Sequence, residues 1–164
     1  MGFTVTVDAG DVYRRLAPAV LGYLRGQGVP DPEDLLGEVF LQVARSLPRF
    51  RGDHGEDLRR WVFTIARNRV VDDARRRRRR PTEAMAPPDR AAPDGPAPLD
   101  PQLLDALRSL NEAQREVVAL RFIADLPLEA VARMTGRTVG AVKSLQHRGL
   151  EELARILFEP GDAV

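Results

Sequence analysis

A proline-rich segment interrupts the chain near its middle and constrains the possible folds more than any other feature. Residues 81–101 contain seven prolines, one glycine and few side chains that could be buried. Proline lacks a backbone N–H and restricts φ, so such a stretch continues neither a helix nor a sheet. The sequence therefore predicts a flexible linker at 81–101 between a front module, residues 1–80, and a back module, residues 102–158, with a tail at 159–164.

Apolar residues recur at helical spacing in both modules. In the front module, Asp31 followed by Pro32 is a typical helix start, and Pro48 ends that helix. A loop at 49–55 leads to a third helix, which runs into six consecutive arginines at 75–80. Apolar and polar residues seldom alternate as they would in strands. We therefore predict an all-α protein of two small helical domains.

The composition excludes several classes of protein. Cysteine is absent, which removes disulfides, thiolate metal sites and cysteine nucleophiles. No apolar run is long enough to cross a bilayer, and the first residues lack the basic and apolar regions of a signal peptide. We expect a cytoplasmic protein that inserts into no membrane and uses no cofactor or metal.

The back module contains the pattern that most strongly indicates a function. A short amphipathic helix at 127–134 is followed by a turn with Gly136 and by a second helix that Thr138 can cap. Residues 137–150 contain three Arg or Lys, one His and no acid, although residues 102–164 as a whole have a net charge of −1. A helix-turn-helix with a basic second helix suits the major groove of DNA. An ordinary helical hairpin with a solvated basic face is the alternative.

The front module is basic, with a net charge of +5 over residues 1–80. An arginine run alone is typical of a polyanion-binding tail and reads no base sequence. Here it continues a helix that contains Trp61, Arg67 and Asn68. These residue types can hold a phosphate backbone and stack on an unpaired base, although Trp61 can equally be a core residue.

Three segments, in order, resemble the extracytoplasmic-function (ECF) sigma factors of the sigma-70 family. They are DPEDLLGEVFL at 31–41, DLRRWVFTIARNRVVD at 57–72, and LRSLNEAQREVVALRF at 107–122 with the helix-turn-helix behind it. The resemblance covers roughly residues 11–158. It implies a region 2-like helical bundle and a region 4-like helix-turn-helix domain. The implied partners are core RNA polymerase, through its largest and second-largest subunits, promoter DNA and, for many members of the family, an anti-sigma factor.

The resemblance also implies roles for individual residues. The residues that would dock on the largest polymerase subunit are Asp34, Glu38 and Phe40. The loop at 50–56 would capture a flipped minus-10 base, and the minus-10 set is Phe50, Trp61, Arg67, Asn68, Arg75 and Arg76. The minus-35 set is Arg137, Thr138, Lys143, Ser144, His147 and Arg148. The acidic linker would lie on the path of nascent RNA and mimic its charge, or serve only as a tether.

Two positions depart from the family pattern. Gly37 stands where the family usually has a glutamine, which removes one implied contact and weakens the helix locally. Leu145-Gln146 stands where a basic residue followed by an apolar one is common. Gln146 would therefore either face the DNA groove or lie at the surface.

Two other classes of function compete with this interpretation. An autonomous helix-turn-helix regulator would bind duplex DNA unaided, usually as a dimer on a two-fold site. The aromatic and arginine-rich third helix and the short linker argue against it, because neither suits a ligand-binding domain. An enzyme is not indicated, because the sequence shows no nucleophile–base pair, metal-ligand cluster or phosphate loop, and His54 and His147 are far apart.

Overall fold

The computed structural model describes residues 7–79 and 99–159, and within these ranges the chain consists of helices and short connections, without a strand. The front module contains α1 (Ala9–Gly26), α2 (Pro32–Ser46), a 3₁₀ turn (Leu47–Arg49) and α3 (Glu56–Arg79). The back module contains α4 (Pro101–Ser109), α5 (Glu112–Val118), a π-helical turn (Ala119–Ile123), α6 (Leu128–Thr135) and α7 (Val139–Phe158). The predicted all-α fold is confirmed. Linker residues 81–98, Arg80 and most of the tail lie outside the described ranges.

The helices begin and end where the sequence chemistry predicts. The Asp31 carboxylate accepts a hydrogen bond from the Asp34 N–H at 3.1 Å, which caps α2. The Thr138 hydroxyl accepts one from the Ala141 N–H at 3.1 Å, which caps α7. Gly136 has φ +66°, the left-handed conformation that ends α6 and makes the tight turn of the helix-turn-helix. Local side-chain chemistry thus determines the element boundaries around the predicted recognition helix.

The front module is a three-helix bundle with an apolar centre. Tyr23 of α1 and Phe63 of α3 are almost completely buried and pack edge to face, with ring centroids 5.7 Å apart. Val39 of α2 and Val62 of α3 fill the space between the helices and are fully buried. This packing fixes the outer faces of α2 and α3, which carry the predicted polymerase-binding and minus-10 residues.

A π-helical turn follows α5, and the sequence did not indicate it. The turn places the Arg121 guanidinium so that it donates to the Leu126 carbonyl at 2.7 Å and to the Gln146 side-chain oxygen at 2.9 Å. Wider turns of this kind replace the usual hydrogen-bond ladder when another interaction compensates for the change. Here Arg121 joins the end of α5, the loop before α6 and the middle of α7.

The back module packs directly against α1. Gly22 and Gly26 lie one helical turn apart, and a Cβ placed on either would be 3.5 Å from an Ile123 methyl group. A Cβ on Gly26 would also be 3.5 Å from Leu107. The two glycines therefore leave room for the back module to approach α1 closely. The buried side chains of the front module and of α5–α7 form one continuous core.

The contact between α5 and α7 generates a stability prediction. A Cβ on Gly149 would lie 2.8 Å from a methyl of Val118, which is buried and β-branched and therefore cannot move away easily. We expect Gly149→Ala to lower the free energy of unfolding by about 1–3 kcal/mol through overpacking. Gly140→Ala is the matched control, because the nearest atom there is 4.0 Å away, and it should leave stability unchanged or slightly higher. Urea unfolding followed by circular dichroism compares the two, and equal effects would contradict the packing argument.

Candidate functional site

The outer face of α2 is acidic, and its first two predicted residues share that face. Asp34 is exposed and Glu38, one turn further on, is partly exposed. Phe40 lies differently, because only 8% of its surface is exposed and its ring packs edge-on against Tyr13 at 5.0 Å. The exposed apolar surface beside the acids comes instead from Leu41, which is 52% exposed, and from Tyr13. Helical spacing separates the two residues, since Phe40 follows the buried Leu36 by one turn and Leu41 follows the exposed Asp34 by two turns.

Glu38 of α2 faces the arginine-rich end of α3. The Arg76 guanidinium is 3.9 Å from Glu38 Oε2, an ion pair at the edge of the distance range. Within the described residues, that oxygen is buried and accepts no hydrogen bond. A buried carboxylate oxygen without a hydrogen bond is unfavourable in the free chain, because its desolvation is not compensated.

The loop between α2 and α3 is built by reciprocal hydrogen bonds. The Asp53 carboxylate accepts from the Gly55 N–H at 2.8 Å and from the Asp57 N–H at 3.4 Å, while Asp57 accepts from the Asp53 N–H at 3.1 Å. Gly52 has φ +148°, and a Cβ there would lie only 2.9 Å from Asp57 Cβ. The loop at 50–56 is therefore held in a defined shape by short local contacts.

This loop and α3 form an open groove of about 510 Å³. The rings of Phe50 and Trp61 lie side by side in it, with centroids 5.0 Å apart and an angle of 40° between their planes. Trp61 packs against the core on one side and lines the groove on the other, so both interpretations of this residue apply to parts of one side chain. The two aromatic rings can stack on a base, and Arg60 beside them can bind a phosphate.

The groove also receives residues from the back module that sequence reasoning missed. Arg133 and Met134, at the end of α6, form part of its lining. They are separated from Trp61 by more than seventy positions along the chain, and no local pattern points to the contact. Part of the predicted minus-10 surface is therefore adjacent to the helix-turn-helix.

Along α3 the predicted minus-10 residues separate into two groups. Trp61, Asn68 and Arg75 recur every seven residues, a spacing that places them on one face of the helix. Arg76 is adjacent to that face and 63% of its side chain is exposed. Arg67 points elsewhere, because its guanidinium Nε donates to the Glu116 carboxylate of α5.

On α7 the predicted minus-35 residues form one exposed face. Lys143, Ser144, His147 and Arg148 are all exposed and follow helical spacing. His147 Nε2 lies 2.8 Å from a carboxylate oxygen of Glu151, one turn further along. This arrangement presents basic and polar side chains to a partner from the first half of the helix.

Gln146 and the residues before α7 lie differently from the exposed face. Gln146 is partly buried, and its side-chain oxygen accepts the Arg121 hydrogen bond, so this oxygen is directed toward the π-helical turn. The physical reason is the π-helical turn, which brings Arg121 within reach of α7. Thr138 acts as the helix cap, and Arg137 is only 28% exposed.

Glu116 connects the two predicted DNA-binding surfaces, although it was not among the candidate residues. One carboxylate oxygen accepts from Arg67 of the front module and the other from Arg137 Nη1 of the back module at 3.1 Å. Its side chain is only 14% exposed. Burial raises the pKa of the nearby Tyr23 hydroxyl well above its ordinary value, and the Glu116 charge adds to that rise while Arg67 opposes it. Tyr23 therefore stays neutral beside the ion pairs.

Comparison with known proteins identifies the family. Residues 12–80 match the family profile of Sigma-70 region 2, and residues 106–155 match that of Sigma-70, region 4. The chain is 36% identical to the RNA polymerase sigma factor CarQ of Myxococcus xanthus over 91% of this chain and 88% of CarQ. It is 35% identical to the ECF RNA polymerase sigma factor BldN of Streptomyces coelicolor over 94% of this chain but only 61% of BldN, so it spans less than two thirds of that protein.

The chain belongs to the extracytoplasmic-function sigma factors.

A solved structure agrees with this membership. The sigma factor RpoE of Bartonella quintana, crystallised with the anti-sigma factor NepR, is similar with a TM-score of 0.66 and 25% identity, over 90% of this chain and 96% of that one. Sigma factors are transcription initiation factors without enzymatic activity, so this ECF sigma factor is not an enzyme. Among residues 7–79 and 99–159, no helix is long and apolar enough to span a membrane.

The hydrogen bonds in the loop at 50–56 predict how the stability of the sigma factor depends on pH. The N–H groups of Gly55 and, next, Asp57 lower the pKa of the Asp53 carboxyl below its ordinary value of 3.8. A carboxyl with a lowered folded-state pKa stabilises the fold above its ordinary pKa, and that stabilisation is lost as the pH falls through the lowered value. Wild type should therefore lose stability relative to Asp53→Asn in this acidic range. Urea unfolding between pH 6 and pH 2 measures the difference.

The control for this experiment is Asp105→Asn. Asp105 is exposed on α4, and its carboxylate accepts no backbone hydrogen bond from the described residues. The stability difference between wild type and Asp105→Asn should change little over the same range. An equal pH dependence in both variants would show that the hydrogen bonds of Asp53 are not its cause.

Proposed function

We propose that this sigma factor binds core RNA polymerase, directs it to promoters and takes part in opening the DNA. The observation that carries the proposal is the presence of three different surfaces on one short chain. These are the acidic face of α2, the aromatic groove with the outer face of α3, and the basic face of α7. An autonomous repressor needs only the third surface, whereas a polymerase-dependent promoter reader needs all three. The protein would act in the cytoplasm, together with its polymerase.

The acidic face of α2 would bind the largest subunit of the polymerase. Asp34 and Glu38 offer carboxylates to a basic partner helix, and complementary charge of this kind favours fast and specific association. Leu41 and Tyr13 add exposed apolar surface next to these acids. Phe40 would contribute indirectly, by holding α2 against Tyr13 from inside the bundle. The second-largest subunit would contact the back module.

The aromatic groove would receive the minus-10 element. Extruding a base from the duplex costs a few kcal/mol, and stacking on an aromatic ring can offset about 1–3 kcal/mol per base. Phe50 and Trp61 supply such rings, and the loop at 50–56 closes one side of the groove. Asn68, Arg75 and Arg76 continue from this groove along α3 and would follow the phosphates of the unpaired strand.

The exposed face of α7 would read the minus-35 element. Lys143 and Arg148 can donate to guanine in the major groove, and Ser144 and His147 lie on the same face. Gln146 would not take part, because its side-chain oxygen accepts a hydrogen bond from Arg121. Arg137 and Thr138, at the start of α7, would contact the phosphate backbone of the DNA near the N-terminus of this helix.

An anti-sigma factor is a further proposed partner. The support is the similarity to the RpoE of Bartonella quintana, which was crystallised with the anti-sigma factor NepR.

The acidic linker, which carries a net charge of −3, would occupy the path of nascent RNA.

The polymerase surface is tested by reversing one charge. We expect Asp34→Arg to weaken binding to core RNA polymerase by roughly a hundredfold or more, because like charges brought together at an interface cost several kcal/mol. Asp105→Arg, the same change at an exposed position of α4, should bind normally. Co-purification and titration with labelled core enzyme measure both variants, and circular dichroism checks their folding. Unchanged binding of Asp34→Arg would refute the docking assignment.

The wild-type protein in the same assay separates the proposed function from its main alternative. A stable complex that transcribes selectively from a promoter library would support the sigma activity. Absence of a complex, together with tight binding of the free chain to a palindromic duplex, would support an autonomous regulator.

The recognition face is tested by truncating its two main donors. We expect Lys143→Ala or Arg148→Ala to weaken minus-35 binding by about 1–3 kcal/mol and to relax selection at one base position. Arg155→Ala is the control, because Arg155 lies on the same helix but pairs with Glu152 two turns beyond the face. Run-off transcription from templates with every single substitution in the minus-35 element measures the effect. A uniform loss on all templates would assign these residues to phosphate rather than base contacts.

A further inference from the structure

The Glu116 carboxylate accepts hydrogen bonds from two arginines that belong to different predicted DNA-binding sets. Arg67 of α3 belongs to the minus-10 set and Arg137 to the minus-35 set, and both donate to the same carboxylate. The Arg67 and Arg137 side chains are 25% and 28% exposed. Charge-assisted hydrogen bonds that are largely shielded from water are stronger than exposed ion pairs. Both guanidinium groups are directed at the Glu116 carboxylate, which reduces the charge and the donors that they can offer to a phosphate.

Other contacts support the same arrangement of the two modules. The Arg59 guanidinium of α3 donates to the Ala124 carbonyl at 3.0 Å, and Arg108 of α4 donates to the Arg25 carbonyl at 3.3 Å. Ile123 packs into the space above Gly22 and Gly26. We call this packing of the back module on α1 and α3 the closed arrangement.

In the closed arrangement, the back module forms part of the wall of the aromatic groove. Arg133 and Met134 of α6 line the groove that contains Trp61. A base that enters this groove would have to share it with the end of α6. The back module therefore restricts the minus-10 surface in two ways, by pairing Arg67 and by lining the groove.

Simultaneous binding of both promoter elements requires the two modules to separate. The minus-35 and minus-10 elements are two separate sites along the duplex, which rises about 3.4 Å per base pair. In the closed arrangement, Arg67 and Arg137 meet on one carboxylate. Two side chains held on one carboxylate cannot each contact a separate DNA site.

We propose that Glu116 is an electrostatic latch that keeps the free sigma factor in the closed arrangement and out of contact with promoter DNA. This inference rests on the proposed function, since it supposes that binding to polymerase and DNA selects an open form. The apparent affinity of a partner for a chain that is mostly closed is reduced by the fraction that is open. Weakening the latch therefore increases binding to the polymerase without adding a contact.

The single tryptophan of the chain provides a direct measurement of closure. Trp61 lies in the groove lined by Met134, so opening should expose it to a neutral quencher such as acrylamide. The test uses the full free chain at low ionic strength and compares wild type with Glu116→Gln. Glu112→Gln is the matched control, because Glu112 is on the same helix, is exposed and forms no ion pair among the described residues.

We expect the acrylamide quenching constant of Glu116→Gln to rise by a factor of roughly 1.5–3 and its affinity for core polymerase to rise about threefold or more. Glu112→Gln should match wild type in both assays. If Glu116→Gln quenches like wild type while folded, the latch is refuted. If Glu116→Gln does not fold, Glu116→Asp replaces it. A shorter carboxylate reaches both arginines less well, so a smaller rise is expected, and quenching equal to wild type again refutes the latch.

The two readouts distinguish failure of this inference from failure of the proposed function. Quenching is measured without polymerase and reports only on the closed arrangement. If wild type binds no polymerase but the quenching difference is found, the proposed function fails and the closed arrangement stands. If wild type transcribes but the two variants quench alike, the proposed function stands and the latch is rejected.

Discussion

Helix α1 is buried from two sides, and the positions of the other helices depend on it. On one side Tyr23 and its apolar neighbours pack against α2 and α3. On the other side Gly22 and Gly26 admit Ile123 and Leu107 of the back module. Burying an Ile or Leu side chain contributes about 1.5–3 kcal/mol, so this contact is a substantial part of the marginal stability of a small domain. The main apolar core runs through both modules, a smaller cluster surrounds Leu107, and the charged surfaces lie on the outside.

The arginine side chains of these charged surfaces can bind either of two kinds of acceptor. Arginine presents several donors in a rigid fork, which suits a phosphate and a carboxylate equally well. In the free chain Arg67 and Arg137 satisfy their donors on Glu116, and Arg59 and Arg108 satisfy theirs on backbone carbonyls. An arginine that is proposed to bind DNA can therefore be held within the protein until a stronger anionic partner replaces the internal acceptor. Competition of this kind makes the closed arrangement sensitive to partners at distant surfaces.

The candidate site was predictable where it depends on short-range spacing. The exposed face with Lys143 and Arg148 follows from helical periodicity, because residues one turn apart on a helix lie on the same side. The pairing of Phe50 with Trp61 follows from a short loop and one helix. Gln146 was harder to place, because burial of a helical side chain depends on what packs against it. Arg67 pairs across the modules, and no local pattern identifies a partner 49 positions away.

The amino-acid sequence by itself determined the helices, their caps, the helix-turn-helix and the family. These features depend on chemistry within a few residues, such as Asp31 accepting a nearby N–H or Gly136 adopting a left-handed turn. Only the tertiary structure decided how the two modules meet, that Arg133 and Met134 line the aromatic groove, and that Glu116 joins two arginines from different predicted DNA-binding sets. The physical reason is that these contacts join residues far apart along the chain. Their formation depends on which surfaces can be buried together, a property that periodicity and spacing do not encode.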